Sequence, residues 1–286
     1  MNRALINDVD LAFEVTGEGE PILLIHGAFI ADAMLPLAEQ LDGYMLIRYH
    51  RRGYGESGGG PVLDVATHAG DARALLEYLD AKPAHLIGHS YGGTTALQFA
   101  ATWPELVRTL VLLEPGVLHI PSAAVVQEGM AAVTSPLEDG DVESAIDNFL
   151  RTLLGPDWRR ATEERLSRGA IAQTMSDGDD AFAGDLTSLG VWTFGEEEAA
   201  RITCPTLLVL GGSSDETVRR GFAEFGVDAT GVGVLAEMIE VFQSEIAQSV
   251  LVTLPGVNHA LQMQDPTAVA RALVPFLAQH HAPLPA

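Results

Sequence analysis

The residues whose types and spacing could do chemistry are one serine, one late histidine and two carboxylates. Ser90 stands in His85-Leu86-Ile87-Gly88-His89-Ser90-Tyr91-Gly92-Gly93, an apolar run, a glycine-flanked turn and the start of a helical pattern. A serine on so tight a strand-to-helix turn is held in strained backbone geometry, with its hydroxyl projecting from the sheet. Gly88, Gly92 and Gly93 leave the room that the turn needs. The hydroxyl becomes a nucleophile once a base takes its proton. Among the nine histidines, His259 fits that role, because it follows the apolar run 250 to 254 and a Pro-Gly loop and stands just before the last helical pattern. His26 and His89 neighbour the site and are read as fixing loop geometry by hydrogen bonding. His50, His85, His119 and the His280-His281 pair read as structural or solvated. The anionic tetrahedral intermediate needs donors placed in advance, and the backbone N–H groups of Ala28, in His26-Gly27-Ala28-Phe29, and of Tyr91 supply them.

The base must be oriented by a carboxylate at the end of a neighbouring strand. Asp215 follows the run 206 to 210, and Glu114 directly ends the run 109 to 113. A carboxyl at a buried strand end is costly unless paired, which makes Glu114 more than a loop residue.

These residues need a sheet to hold them. Residues 3 to 16 alternate as two short strands around an Asn7-Asp8 turn. An all-apolar run stands at 22 to 25, and further apolar runs recur at 44 to 47, 84 to 87, 109 to 113, 206 to 210 and 250 to 254. Such runs suit strands buried on both faces. Helical patterns at 67 to 80, 91 to 103 and 266 to 280 alternate with them, which predicts a doubly wound, mostly parallel sheet of eight strands. The alternation stops from about 118 to 201, where 141 to 154 and 157 to 168 are the clearest helices. The expected organisation is therefore a core of residues 1–117 and 202–286 with a helical lid inserted at 118–201.

Composition narrows the partners. With 16 Lys+Arg against 39 Asp+Glu, the net charge is −23. Such a chain repels phosphate backbones and anionic membrane faces, which excludes nucleic acid and membrane as partners. The only cysteine, Cys204, allows no intramolecular disulfide and no thiolate metal cluster. No metal or cofactor is expected. The only lysine, Lys82, lies in a turn before a strand, away from any base or Schiff-base role. No signal peptide or membrane-length apolar run is visible, so a cytoplasmic protein, monomer or homodimer, is the expectation.

The His26–Phe29 loop, the Arg52–Gly58 run RGYGESG, the GHSYGG elbow and the closing PGVNHALQMQDP segment together resemble the α/β-hydrolase family. The resemblance covers nearly the whole chain except the lid, and it implies the α/β-hydrolase fold with a Ser-His-acid triad beneath a helical cap. His50 stands where relatives often carry Asp, and Ser214 stands where they commonly place the acid. Glu114 resembles instead the glutamate of a subset including haloalkane dehalogenases and zearalenone-type lactonases. Because its strand-end position needs no shift, it is set ahead of Asp215.

A serine cannot form the ester intermediate that the fold's dehalogenases and epoxide hydrolases make on an aspartate. The implied reaction is acyl transfer from a small-molecule ester, lactone or activated amide to water. A carbon–carbon hydrolase or lyase and a non-catalytic ligand receptor are the rival readings. Phe29 beside the donor loop is a candidate substrate contact. Met130, Phe149, Trp158, Met175, Trp192 and Phe194 are candidate lid residues for an apolar pocket, with Trp192 and Phe194 favoured.

Overall fold

The computed structural model describes residues 1–166 and 168–281. Eight strands form one sheet in the order β1-β2-β4-β3-β5-β6-β7-β8. They are β1 Asn2–Ile6, β2 Val9–Thr16, β3 Glu20–Ile25, β4 Tyr44–Tyr49, β5 Ala84–His89, β6 Val107–Leu113, β7 Thr206–Gly211 and β8 Ser249–Leu254. β2 runs antiparallel to β1 and to β4, and every other pairing is parallel. Asn7 and Asp8 both adopt positive φ in the β1–β2 turn, the conformation of a two-residue hairpin.

Five of the apolar runs are explained by burial on both sides; the sixth, 250 to 254, forms the edge strand β8, where Val250 is 56% exposed and only Leu254 is buried. In β3, Ile22 and Leu24 join the core on one face with Leu37 of helix α1 (Leu35–Ala38). Leu23 and Ile25 join the opposite core, which also holds Leu75 of helix α2 (Val65–Tyr78) and Leu97 of helix α3 (Tyr91–Thr102). Period-two alternation thus sorts one uniformly apolar strand between two cores.

Between β6 and β7 the chain forms α4 Ala123–Thr134, α5 Val142–Leu154, α6 Trp158–Arg165, α7 Ala170–Ser176, α8 Thr187–Val191 and α9 Glu196–Arg201. A π-helical segment, Asp180–Leu186, precedes α8. After β7 come α10 Ser214–Glu224 and α11 Val234–Glu245, and after β8 the one-turn α12 Leu261–Gln264 and then α13 Pro266–Ala278. Helices α10 and α11 were not expected from the sequence. No helix among the described residues is long and apolar enough to cross a membrane.

The elbow after β5 is the tightest point of the fold. A Cβ on Gly88 would collide with the Gly92 carbonyl oxygen, and one on Gly92 with the carbonyl oxygens of Ile25 and His26. These obstacles are backbone atoms and cannot swing aside. Gly92→Ala is therefore expected to lower stability by about 1–3 kcal/mol, read as a drop in Tm. Gly60→Ala, where a Cβ meets nothing within 4 Å, should leave Tm nearly unchanged in the same thermal scans.

Candidate active site

The parallel register carries β5, β6 and β7 to the same edge of the sheet, and the chemistry-bearing residues sit one step beyond it. Ser90 N–H donates to the Leu113 carbonyl at 3.0 Å, and Glu114 N–H to the Val209 carbonyl at 3.1 Å. Six non-glycine residues have positive φ among those described. Asn7, Asp8 and Asp80 are of the types that tolerate it. The other three, Phe29 (φ 68°), Ser90 (φ 52°) and Glu114 (φ 45°), all line one cavity. Backbone strain of this kind persists where surrounding structure holds it, and here it gathers at a single site.

Glu114 is 1% exposed. Its Oε1 accepts from the Gly211 N–H at 2.6 Å, and its Oε2 from His259 Nδ1 at 2.6 Å. With the Nδ1 proton directed at the carboxylate, Nε2 of His259 is left as the free lone pair. The structure does not bring Asp215 to this histidine. Asp215 lies in the first turn of α10 and accepts from the Leu235 N–H at 2.7 Å, so it caps the start of α11. Burial raises its pKa. Ser214 is fully buried, with its hydroxyl packed against Gly211.

The neighbouring histidines hold loops, as their positions implied. His89 Nε2–H donates to the His259 carbonyl at 2.8 Å, tying the Ser90 turn to the His259 loop. Burial lowers its pKa to about 3, so it stays neutral. His26 Nδ1–H donates to the Gly27 carbonyl at 2.7 Å, and its Nε2 accepts from the Arg51 N–H at 3.0 Å. Ala28 and Tyr91 both line the cavity. As the first residue of α3, Tyr91 has an N–H with no intrahelical acceptor.

Ser90, His259 and Glu114 open onto a cavity of about 630 Å³, walled mainly by apolar side chains of the segment between β6 and β7 and of α10 and α11. Phe29, Met130 and Phe149 line it as expected. Trp192 and Phe194 do not. Trp192 stacks on Phe194 and donates to Gln98 Oε1 at 2.9 Å, while Phe194 packs on Phe242, so their bulk goes into holding the segment to α3 and α11. Trp158 is buried and bonds to Asp147 at 3.0 Å, and Met175 packs into the core. Leu153 of α5, Val218 and Phe222 of α10 and Met238 of α11 form much of the wall instead; their sequence patterns hold no signal that separates wall from core.

The sequence also gave no sign of the role of Arg51. Its fully buried guanidinium donates to the His26 and Gly27 carbonyls at 3.1 and 3.0 Å, and to Asp185 at 3.0 and 2.5 Å. It lies over the rings of Tyr54 and Tyr91, with centroids at 4.5 and 4.8 Å. The Tyr54 hydroxyl donates to Asp185 Oδ2 at 2.7 Å. One cation thus fastens the His26–Phe29 loop to the π-helical segment. Burial opposes ionisation of Asp185, but Arg51 and His68 outweigh it and hold its pKa below the usual carboxylate range.

The sequence profile of the Alpha/beta hydrolase family matches residues 22–272. The chain belongs to this family. An uncharacterized protein of Mycobacterium tuberculosis is 35% identical over 140 residues, covering 44% of this chain and 40% of that protein. The chain thus matches well under half the length of that relative. Among solved structures, a thermophilic esterase from Thermogutta terrifontis superposes with a TM-score of 0.76 at 23% identity, covering 99% of this chain and 100% of that one. The enol-lactonase from Burkholderia xenovorans gives 0.70 at 18%, covering 97% and 100%. At these identities the likeness is one of fold.

In this α/β-hydrolase, Asp180 sits in the same π-helical segment, against Gly53. Its burial, together with Asp177, Asp185 and Asp179, raises its pKa to about 6 from an ordinary 3.8. The folded carboxyl thus resists ionisation more than the unfolded one. The resulting cost is complete above about pH 6 and absent below about pH 4. Asp180→Asn should melt above the wild type by about 2–4 °C at pH 8, with the two curves converging as pH falls towards 4 in a pH series of thermal scans.

Proposed function

We propose that the protein is a serine hydrolase that cleaves carboxylic esters or lactones of fairly apolar, uncharged substrates through an acyl-enzyme. The observation that carries this reading is the His259–Glu114 hydrogen bond, which leaves Nε2 as a base in the cavity that Ser90 also lines. Ser90 Oγ attacks the acyl carbon as its proton passes to His259 Nε2. The carbonyl oxygen becomes an oxyanion held by the Ala28 and Tyr91 N–H groups. Collapse expels the alkoxide, which takes the proton from His259. Water then gives its proton to the same nitrogen and attacks the acyl carbon, and collapse releases the acid while the departing Ser90 Oγ takes that proton back from His259. Acyl transfer of this kind needs neither metal nor cofactor.

Glu114 keeps the productive tautomer and balances the imidazolium. The aliphatic and aromatic wall favours substrates that give up little hydration on entry. The segment between β6 and β7 acts as the lid that sets which acyl and leaving groups reach Ser90. The esterase and enol-lactonase that share the fold are by name acyl hydrolases, in agreement with this reading.

A panel of aryl esters, aliphatic esters, small lactones and macrolactones tests it, alongside labelling by a fluorophosphonate probe. Ser90→Ala should lose both turnover and label. Glu114→Gln should lower kcat by about 10³–10⁴-fold, as expected when the base takes the wrong tautomer. Asp215→Asn should retain turnover, its effect confined to stability. A wild type that fails to label, or a loss of turnover on Asp215→Asn with Glu114→Gln still active, would overturn the assignment.

A further inference from the structure

Among the described residues that line the cavity, the one buried side-chain amide belongs to Gln262. It stands three residues after His259, in α12. Gln262 is fully buried, yet neither its Oε1 nor its Nε2 has a hydrogen-bond partner among the described residues. Closing the base loop does not require it. That task falls to Gln264, whose Oε1 accepts from the Asn258 N–H at 2.7 Å, and to Asn258, which donates to the Leu154 carbonyl at 2.8 Å.

A primary amide offers two donors and two acceptor lone pairs. Buried without partners it opposes folding, and an apolar side chain of the same length would serve the fold better. A group that weakens the fold, three residues from the base and in the wall of a mainly apolar cavity, is explained by a ligand that completes it.

We infer that Gln262 binds the substrate, its amide hydrogen-bonding a second polar group that the substrate carries near the scissile carbonyl. This rests on the acyl-hydrolase reading given above. The substrate class is then an ester or lactone with an apolar skeleton and one additional carbonyl, amide or hydroxyl. A plain alkanoyl ester leaves the amide unmet in the bound complex. A site built to hydrogen-bond a substrate group rejects the analogue lacking it more strongly than an apolar wall rejects an extra methylene.

The test compares hydrolysis of 4-nitrophenyl hexanoate with that of its 3-oxo, 4-oxo and 5-oxo analogues, by the wild type, Gln262→Met and Gln262→Leu. The wild type should prefer at least one oxo ester by about tenfold in kcat/KM, expressed mainly in KM, and both variants should reduce that preference to within about twofold. Gln262→Met should also melt above the wild type, because it removes an unmet buried amide. A wild type without preference, a preference that survives in both variants, or a Gln262→Met protein that melts below the wild type would each overturn the inference. The last result would mark the amide as a bond the fold depends on. Fluorophosphonate labelling separates the two readings. Labelling and hexanoate turnover without discrimination remove the role of Gln262 alone, whereas the absence of both removes the acyl-hydrolase reading and this inference with it.

Discussion

The structure is organised around the requirement that the Glu114 carboxylate, 1% exposed, be satisfied without water. A charge so deep is tolerated only when both oxygens have strong donors. One donor is the Gly211 N–H at the end of β7, and the other is His259 Nδ1, which follows β8. Meeting both ties three consecutive strand ends to one another. The register that aligns Leu113 with Val209 and Gly211 with Leu254 therefore follows from more than apolar packing. Were β7 to slip by one residue, the carboxylate would lose its backbone donor and the histidine its orientation.

The same economy appears at the His26–Phe29 loop. Gly27 has no side chain and Ala28 only a methyl group against the core, so neighbouring residues do most to locate the loop. Phe29 places the loop by burying its ring against Phe149 and Phe182, with centroids at 4.9 and 5.0 Å. Arg51 places it from the other side, through the His26 and Gly27 carbonyls. Occupying those carbonyls fixes the peptide planes, and with them the direction of the N–H groups an oxyanion would meet.

Much of this was legible in the sequence. The six apolar runs became strands, five of them because segments buried on both faces can be little else in an alternating chain, and the sixth, β8, as a half-exposed edge strand whose apolar run overstates its burial. Ser90 and His259 were legible because their local context, strand then tight turn and strand then loop, is itself short-range. Glu114 was legible as a strand-end carboxyl that needs no shift, which set it ahead of its rival Asp215 without removing that rival. What separates them is a helix cap, and α11 gave no start signal, because its N-cap is Gly233 and the capping oxygen comes from Asp215, 20 residues away. The cavity wall was not legible. Trp192 and Phe194 have the size and polarity of wall residues, and only the path of the chain shows that they face Gln98 and Phe242.

Arg51 was missed for the same reason, as its partners lie far along the chain, and that distance has a functional consequence. Asp185 and Phe182 both belong to the π-helical segment, and both press on the donor loop, one through an ion pair with Arg51 and one through the ring of Phe29. A π-helix spaces side chains differently from an α-helix, so these two contacts depend on that unusual turn, and such turns often mark functional positions. The ion pair resists lateral displacement because its geometry is bidentate, and the ring contact resists separation because it buries apolar area. Together they leave the segment that walls the cavity without freedom to shift independently of the backbone that would stabilise an oxyanion. Under the acyl-transfer mechanism proposed above, access to Ser90 and the alignment of the Ala28 donor would thus be one mechanical variable.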